Sequence, residues 1–265
     1  MKSPPFFLYS ASVFLTLLLP AATLCRDFDF TVQAEASMNP AQKPSPYASN
    51  LTITSRFSAE DFAPDGDLSK KTWQNAEYMR FDQEALSRKR HPEVETRIAS
   101  LWTAKYVYFA FSSKYSVLNV FDGEQSAKEK WGLWDRDVVE VFINPNPERF
   151  NHYYEFEVSP NNQWIDLEID LDKKPFNDAA WDSHFEHATR VDEASHVWTC
   201  EMRIPTSALL VQMMKPGMEW RLNFYRADGK GGDSQRRFLS WSPLPPGTKL
   251  SFHQPASFGI IRFVK

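Results

Sequence analysis

Cysteine is scarce in this chain of 265 residues, which contains only Cys25 and Cys200. Two cysteines cannot build the disulfide framework that supports many small exported domains, so the fold must depend on an ordinary hydrophobic core. The segment VWTCEMRI, residues 197–204, alternates in polarity and places Cys200 on the same strand face as Trp198 and Ile204. We therefore expect Cys200 to be a small core residue and not a reactive thiol.

Several catalytic and binding signatures are also missing. The chain has no GxSxG, P-loop or GxGxxG motif, and its six histidines show no metal-ligand spacing. The net charge of −4, from 30 basic and 34 acidic residues, provides no basic surface for nucleic acid or for an anionic membrane. These absences exclude the enzyme classes that those motifs define and argue against a nucleic-acid partner.

The N-terminus has the composition of a secretory signal peptide. Residues 6–24 form an apolar run that follows Lys2. We predict a signal peptide over residues 1–25, a Pro- and Ser-rich linker over 26–49 and one domain over 50–265. This organisation predicts a protein that is secreted, periplasmic or at the cell surface. An uncleaved anchor is the alternative, since the apolar run is nearly long enough to span a bilayer.

Aromatic residues are abundant, with nine Trp, nine Tyr and 21 Phe making up 15% of the chain. Short runs of alternating polarity recur along the sequence, and turn residues such as SPNN at 159–162 and DGKGGD at 228–233 separate them. The clearest helix signal is the short segment IPTSALL at 204–210. We predict an all-β fold, an antiparallel β-sandwich of jelly-roll or immunoglobulin-like type with one or two short helical turns.

The segment WGLWDRDVVEVFINP, residues 131–145, contains the most apolar strand of the chain, with Glu140 in its middle. Alternation places Glu140 on a mixed face, opposite a face that is entirely apolar. A carboxylate there can accept hydrogen bonds from sugar hydroxyls, while Trp131 and Trp134 can cover the apolar C–H face of a pyranose ring. The alternative is a structural ion pair between Glu140 and a nearby arginine such as Arg136 or Arg226.

A second acidic pattern occurs in the strand YYEFEVS at 153–159. Glu155 and Glu157 point to the same side and lie roughly 7 Å apart along the strand, which is close to the carboxylate separation in inverting glycosidases. Such pairs are common on solvated sheet faces, where nothing raises a pKa toward that of a general acid. A binding role is therefore favoured, and catalysis by Glu155, Glu157 or Glu140 is the alternative.

The order of motifs resembles the family 9 carbohydrate-binding modules and their stand-alone relatives, over about residues 50–265. The matching segments are DGDLSKKTW (65–73), TRIASLWTAKYVYFAFSSKY (96–115), WDRDVVEVFINP (134–145), YYEFEVSP (153–160), VWTCEMRIPTSAL (197–209), WRLNFYRAD (220–228) and SWSPLPPGTKLSFHQPASFGIIRF (240–263). The resemblance implies a β-sandwich that holds the end of a glucan or xylan, or a free sugar, between two aromatic side chains. Because these modules are not themselves catalytic, the resemblance implies a non-catalytic binding role.

The resemblance also assigns roles to individual residues. Trp134 falls where one sandwiching tryptophan stands, and Glu140 falls where a sugar-binding glutamate stands. Phe252 falls near the second aromatic, which is a tryptophan in other members. Glu157 occupies a position where those modules use a sugar-binding arginine. Further candidates for the wall of the site are Trp131, Arg226, Trp241 and His253.

Cofactors and partners follow from the same resemblance. Some relatives hold structural calcium, although its ligands cannot be assigned in this sequence, and many are attached to glycoside hydrolases that degrade polysaccharides such as xylan or cellulose. The expected ligand is a plant-type polysaccharide end, an oligosaccharide or a free sugar. The alternatives are a glycoside hydrolase acting on O-glycosyl bonds, or a sandwich that binds haem or a protein instead.

Overall fold

The computed structural model describes residues 45–123, 128–229 and 234–265, and within these residues the chain forms thirteen β-strands. The strands are β1 (Thr52–Phe57), β2 (Met79–Phe81), β3 (Thr96–Trp102), β4 (Tyr106–Lys114), β5 (Val138–Asn144), β6 (His152–Val158), β7 (Trp164–Asp170), β8 (Asn177–Asp178), β9 (Glu186–Asp192), β10 (Val197–Pro205), β11 (Glu219–Asp228), β12 (Arg237–Ser240) and β13 (Gly259–Val264). The all-β prediction is confirmed.

Helical structure in the described part of the chain is limited to four short 3₁₀ turns, at Lys71–Asn75, Pro92–Val94, Leu133–Asp135 and Pro255–Ser257. At 204–210 the structure forms short hydrogen-bonded turns and not a regular helix, because β10 continues to Pro205 and the turns follow it. Leu210 ends these turns with φ of +58°, a left-handed conformation that stops a helix.

The strands follow one hydrogen-bonded path, β8-β7-β6-β5-β11-β13-β1-β3-β4-β10-β9, with β12 on β11 and β2 on β3. The sheet curls so that its two ends face each other as a sandwich. The first half contains β5, β6, β7, β8, β11 and β12, and the second half contains β2, β3, β4, β9 and β10. Pairing is antiparallel except at β1, which runs parallel to both β13 and β3 and joins the halves.

The core lies between the two halves, and the alternation of each strand determines which residues enter it. In β5, Val139, Val141 and Ile143 are fully buried on the inner face. Phe224 of β11 crosses to the second half, with its ring 5.5 Å from that of Phe109 and in edge-to-face geometry. Cys200 lies in the same cluster, unpaired and fully buried, as its strand pattern predicted.

The outer face of the second half is covered by the segment at 58–78, which contains the motif DGDLSKKTW. Glu201 of β10 lies under it and accepts hydrogen bonds from Trp73 Nε1 (2.6 Å) and from the backbone N–H groups of Asp65 (2.8 Å) and Gly66 (2.7 Å). Lys70 Nζ completes the shell at 2.7 Å. This buried carboxylate therefore closes the face by fastening the covering segment to β10.

The end of the predicted linker makes contacts with the first half. The ring of Tyr47 is buried, and its hydroxyl accepts a hydrogen bond from Asn144 Nδ2 at 3.1 Å. Arg221 stacks on the same ring at 4.4 Å. The predicted signal peptide and residues 26–44 lie outside the described residues. Among the described residues, no helix is long and apolar enough to cross a membrane.

Candidate functional site

Three glutamates lie together on the outer face of the first half. The antiparallel register of β5 and β6 places Glu140 directly opposite Glu157 and Phe142 directly opposite Glu155. Opposed residues on one sheet face have Cβ atoms about 4.5–5.5 Å apart, so the side chains are in contact range. The glutamates are only 1–3% exposed. We call Glu140, Glu155 and Glu157 the acidic floor.

The acidic floor forms the base of an open cavity of about 450 Å³, whose walls come from turns and loops that are distant in sequence. These walls contain Trp134, Asp135, Phe176, Asn177, Arg236, Phe238, Leu250, Ser251, Phe252 and His253, while Phe142 and Leu167 lie beside the glutamates. The cavity therefore combines aromatic sides with a charged base, which are the two features that recognition of a sugar ring needs.

Trp134 stands in the 3₁₀ turn that leads into β5. Gly132 begins this turn with φ of +79°, and the buried Leu133 anchors it to the domain. The indole of Trp134 is half-buried and borders the cavity. Trp131 is 56% exposed and meets Trp134 edge to face at 5.1 Å, outside the cavity lining. Trp134 therefore borders the cavity, as the resemblance implied, whereas Trp131 does not.

The loop before β13 provides another part of the cavity wall. The ring of Phe252 is half-buried and stacks on Tyr225 at 4.1 Å, and the Tyr225 hydroxyl donates to the Phe252 carbonyl at 3.1 Å. His253 Nδ1 lies 2.8 Å from the hydroxyl of Tyr153 and 4.0 Å from Glu155 Oε2. Because Tyr153 and Tyr225 are both fully buried, this loop is held by the sheet itself.

The acidic floor has unusual electrostatics. One carboxylate oxygen from each glutamate lies within 4.8 Å of the other two. Glu140 Oε1, Glu155 Oε2 and Glu157 Oε2 are buried and find no hydrogen-bond partner among the described residues. Burial, with added repulsion from Glu155, raises the pKa of Glu140 well above its ordinary value, and burial with repulsion from Glu140 and Glu155 does the same to the pKa of Glu157.

This finding corrects the expectation of a solvated face for Glu155 and Glu157. Both side chains are almost fully buried, and their oxygens converge to less than the roughly 7 Å that strand rise alone suggests. The physical reason is the loop walls, which remove the sheet face from bulk water. Carboxylates in that position are costly to keep charged unless a ligand or counter-charge compensates them.

A guanidinium group borders the acidic floor. Arg236 is nearly buried, donates to the backbone carbonyl of Trp134 and lies 3.5 Å from Asp135. It also stacks over the ring of Phe238 at 4.8 Å. Its positive charge favours the ionised form of Glu140 and so partly opposes the effect of burial on the pKa of that residue. Arg236 therefore both braces the Trp134 turn and balances part of the negative charge.

Besides Trp131, the structure leaves two more of the candidate residues outside this cavity. Arg226 is fully buried on the core side of β11, where it donates to Val94 O (2.8 Å) and to Asp228 Oδ1 (2.6 Å). Trp241 is 3% exposed and packs on Phe224 in the core. The alternative of a structural Glu140–Arg226 ion pair is wrong, since the two side chains lie on opposite faces of the first half.

Other lining residues escaped the sequence analysis. Phe142 carried a detectable signal, because it lies two positions after Glu140 on the same strand face. Phe176, Arg236 and Phe238 lie in turns and short strands whose positions depend on long-range packing, so their sequence neighbours contain no indication of them.

A second acidic group could hold a metal ion. Glu129, Asp166 and Asp182 each offer a carboxylate oxygen within 4.8 Å of the others. Asp166 is fully buried, and its Oδ1 atom lacks a hydrogen-bond partner among the described residues, while Ser183 donates to Oδ2. Burial raises the pKa of Asp166 to about 6, and burial with repulsion from Asp166 raises that of Glu129 to about 7. Oxygen donors of this kind suit calcium.

Known structures share this arrangement of strands. A protein of Bacteroides uniformis, described as a candidate carbohydrate-binding protein, matches 81% of this chain and all of its own with a TM-score of 0.63 and 20% identity. A family 9 carbohydrate-binding module of Caldicellulosiruptor kristjanssonii in complex with cellotriose matches 81% of this chain and 94% of its own, with a TM-score of 0.56 and 16% identity. A family 9 module of the same organism in complex with glucose matches 79% of this chain and 95% of its own, with a TM-score of 0.55 and 18% identity.

The fold and the cavity define a class, a β-sandwich with an aromatic-walled pocket on one outer face. The sequence identifies the family, because residues 65–265 match the family model described as "Carbohydrate family 9 binding domain-like". The chain belongs to that family. It is also 27% identical over 199 residues to a protein of Arthroderma benhamiae named "Extracellular protein", covering 70% of this chain and 85% of the relative.

Proposed function

We propose that the protein binds carbohydrate in the cavity over the acidic floor and does not cleave it. The observation that carries the proposal is the pairing of Trp134 on the wall with buried, unpartnered carboxylate oxygens on the base. The indole covers the C–H face of a sugar ring, Phe252 bounds the ring opposite, and Glu140 accepts bonds from hydroxyl groups. Affinity is modest, because water already satisfies free hydroxyls.

The ligand that we propose is the end of a plant-type polysaccharide, an oligosaccharide or a free sugar. The open cavity of about 450 Å³ has room for one or two rings, which suits an end more than a long internal stretch. The relatives bound to cellotriose and glucose support this choice. The protein would then support polysaccharide breakdown beside glycoside hydrolases.

We further propose that the protein is exported. The sequence supports this with the predicted signal peptide over residues 1–25, and the relative named "Extracellular protein" supports it independently. Mass spectrometry of the mature N-terminus would test it, with cleavage near residue 25 as the expected result. An intact N-terminus in a membrane fraction would favour the anchor.

A glycosidase is the second candidate, because the raised pKa values of Glu140 and Glu157 are what a general acid requires. The distances argue against an inverting enzyme, since oxygens within 4.8 Å leave too little space for the water that such enzymes place between their carboxylates. Release of reducing ends from xylo- or cello-oligosaccharides, abolished by Glu157→Gln, would establish this alternative and refute the binding-only proposal.

Calorimetric titration with glucose, cello-oligosaccharides and xylo-oligosaccharides tests the binding proposal. We expect saturable binding that Trp134→Ala removes almost completely, with a change in the free energy of unfolding of about 1–2 kcal/mol or less. Trp131→Ala is the matched control, because its indole is exposed next to Trp134 but outside the cavity lining. Equal loss of binding in both variants, or failure of Trp134→Ala to fold, would contradict the assigned role of Trp134.

A further inference from the structure

We infer that the acidic floor selects a sugar that bears a protonated amino group, so that the preferred ligand is an amino sugar with a free ammonium. This inference rests on the proposed carbohydrate-binding function of the same cavity and narrows its ligand class. It uses three observations, namely the geometry of the carboxylate oxygens, the charge of the cavity and the chemistry of its walls.

The geometry matches an ammonium group. Glu140, Glu155 and Glu157 each have one buried oxygen that lacks a hydrogen-bond partner among the described residues, and each offers one carboxylate oxygen within 4.8 Å of those of the other two. Three oxygens that are no more than 4.8 Å apart leave room for a nitrogen about 2.8 Å from each, which is the length of a charge-assisted N–H···O bond. An ammonium has three N–H donors. The acidic floor therefore offers one acceptor for each donor.

The charge of the cavity favours the same ligand. Three carboxylates stand together, and the cationic group that reaches them from the wall, Arg236, also interacts with Asp135 and the Trp134 carbonyl. Without a cation, burial and mutual repulsion favour the protonated forms of Glu140 and Glu157, and a neutral sugar brings no charge that would change this. An ammonium both donates and neutralises, so it gains more from this site than a hydroxyl can.

The walls distinguish an amino sugar from a bare metal ion. A calcium ion takes six to eight oxygen ligands, whereas most of the lining beyond the acidic floor consists of aromatic and aliphatic side chains such as Trp134, Phe176 and Leu250. The cavity of about 450 Å³ is also much larger than an ion needs. A sugar ring fills this space and stacks on the indole while its ammonium reaches the glutamates.

Glucose, glucosamine and N-acetylglucosamine form a matched test set, since they differ only at one substituent. Calorimetric or NMR titrations with EDTA present should show glucosamine binding at least tenfold more tightly than either of the other two. Short glucosamine oligomers should likewise exceed cello-oligosaccharides of equal length. Acetylation of the amine removes both its charge and two of its three donors, so N-acetylglucosamine should lose the advantage completely.

Variants assign the preference to the acidic floor. Glu140→Gln and Glu157→Gln keep side-chain shape and should each reduce the glucosamine-to-glucose affinity ratio by about tenfold. Glu193→Gln removes the same charge from an exposed position between β9 and β10 and should leave the ratio unchanged. Circular dichroism melts confirm folding of each variant. The wild-type ratio decides the inference even if one variant does not fold.

The outcomes separate this inference from the function on which it rests. Equal binding of glucose and glucosamine, still dependent on Trp134, would overturn the amino-sugar preference and leave carbohydrate binding intact. Absence of binding to any sugar would overturn both. Sugar binding that requires added calcium and disappears in EDTA would show that the acidic floor holds a divalent cation, which also overturns the inference.

Discussion

Buried glutamates lie on both outer faces of the sandwich, Glu201 on one and the acidic floor on the other, and they differ in what surrounds them. Glu201 is as buried as Glu140 and Glu157, at 1% exposure each. Glu201 receives hydrogen bonds from an indole, a lysine and two backbone N–H groups. The acidic floor instead leaves one oxygen per glutamate without a partner and opens onto a cavity. The first arrangement stabilises the fold, and the second leaves hydrogen-bonding capacity for a ligand.

The comparison shows that burial of a carboxylate does not by itself distinguish structure from function. What distinguishes them is whether the neighbouring donors belong to the protein. Each buried acceptor without a partner costs about 1–3 kcal/mol relative to a satisfied one. We therefore expect the two sets to respond oppositely to substitution.

Loss of Glu201 should give the largest effect. Glu201→Ala leaves the Lys70 ammonium, the Trp73 indole N–H and two backbone N–H groups under the covering segment without their acceptor. We expect a loss of about 3–5 kcal/mol in the free energy of unfolding, measured by urea denaturation. Sugar binding at the opposite face should be retained in the folded fraction. A loss below 1 kcal/mol would mean that Glu201 does not fasten the covering segment.

Gly66→Ala tests the contact between Glu201 and the covering segment at a second position. Gly66 adopts φ of +77°, and a Cβ there would lie 2.9 Å from the Thr189 carbonyl carbon. The substitution should strain the backbone N–H that donates to Glu201 and cost about 1–3 kcal/mol. Gly217→Ala is a matched control, since it shares a positive φ but has open space around it. Similar losses in both would indicate that only backbone conformation matters.

Removing a charge from the acidic floor should increase the free energy of unfolding instead of lowering it. The folded pKa of Glu140 is raised, so the stability associated with its protonated form is fully present below the ordinary glutamate pKa of about 4.3 and is lost as pH rises through the folded value. Glu140→Gln removes that loss. The variant should become more stable than the wild type, by about 1 kcal/mol or more, as pH rises above that range. Thermal melts at several pH values measure the difference, and a variant that is less stable at pH 7 would contradict it.

Calcium should produce the smallest change. If the donors at Glu129, Asp166 and Asp182 hold the ion, calcium at three times its dissociation constant should stabilise the protein by about 0.8 kcal/mol. A thermal shift assay with and without EDTA measures this effect. Asp182→Asn should reduce it, whereas Asp178→Asn, an exposed neighbour in β8, should not. An unchanged melting temperature would exclude this group as a calcium site.

Much of this arrangement could be predicted from strand alternation. The pattern of β5 placed Glu140 opposite the apolar core face, and the structure brings Trp134, Glu157, Phe252 and His253 to the same cavity. The binding roles of these residues stay predictions. Local periodicity was sufficient for the face of Glu140, because strand faces follow directly from it, whereas Trp134, Glu157, Phe252 and His253 came from the resemblance to the family 9 modules.

Arg226 shows where the sequence analysis failed although the signal was present. Alternation in β11 places Arg226 on the same face as Leu222 and Phe224, which enter the core, while Tyr225 lies on the outer face with Glu140. Asp228, two residues later on the same strand, is the partner that lets the Arg226 guanidinium lie in the core. The loop walls are different, because no local pattern determines which loops meet over a sheet.

A crystal structure of the protein grown with glucosamine and, separately, with glucose is the most direct test of the central claim. The account predicts a sugar ring over the acidic floor, bounded by Trp134 and Phe252, with the amine of glucosamine within about 3 Å of oxygens from Glu140, Glu155 and Glu157. A sugar bound elsewhere, or no density at saturating ligand while these glutamates are bonded to protein donors, would contradict it.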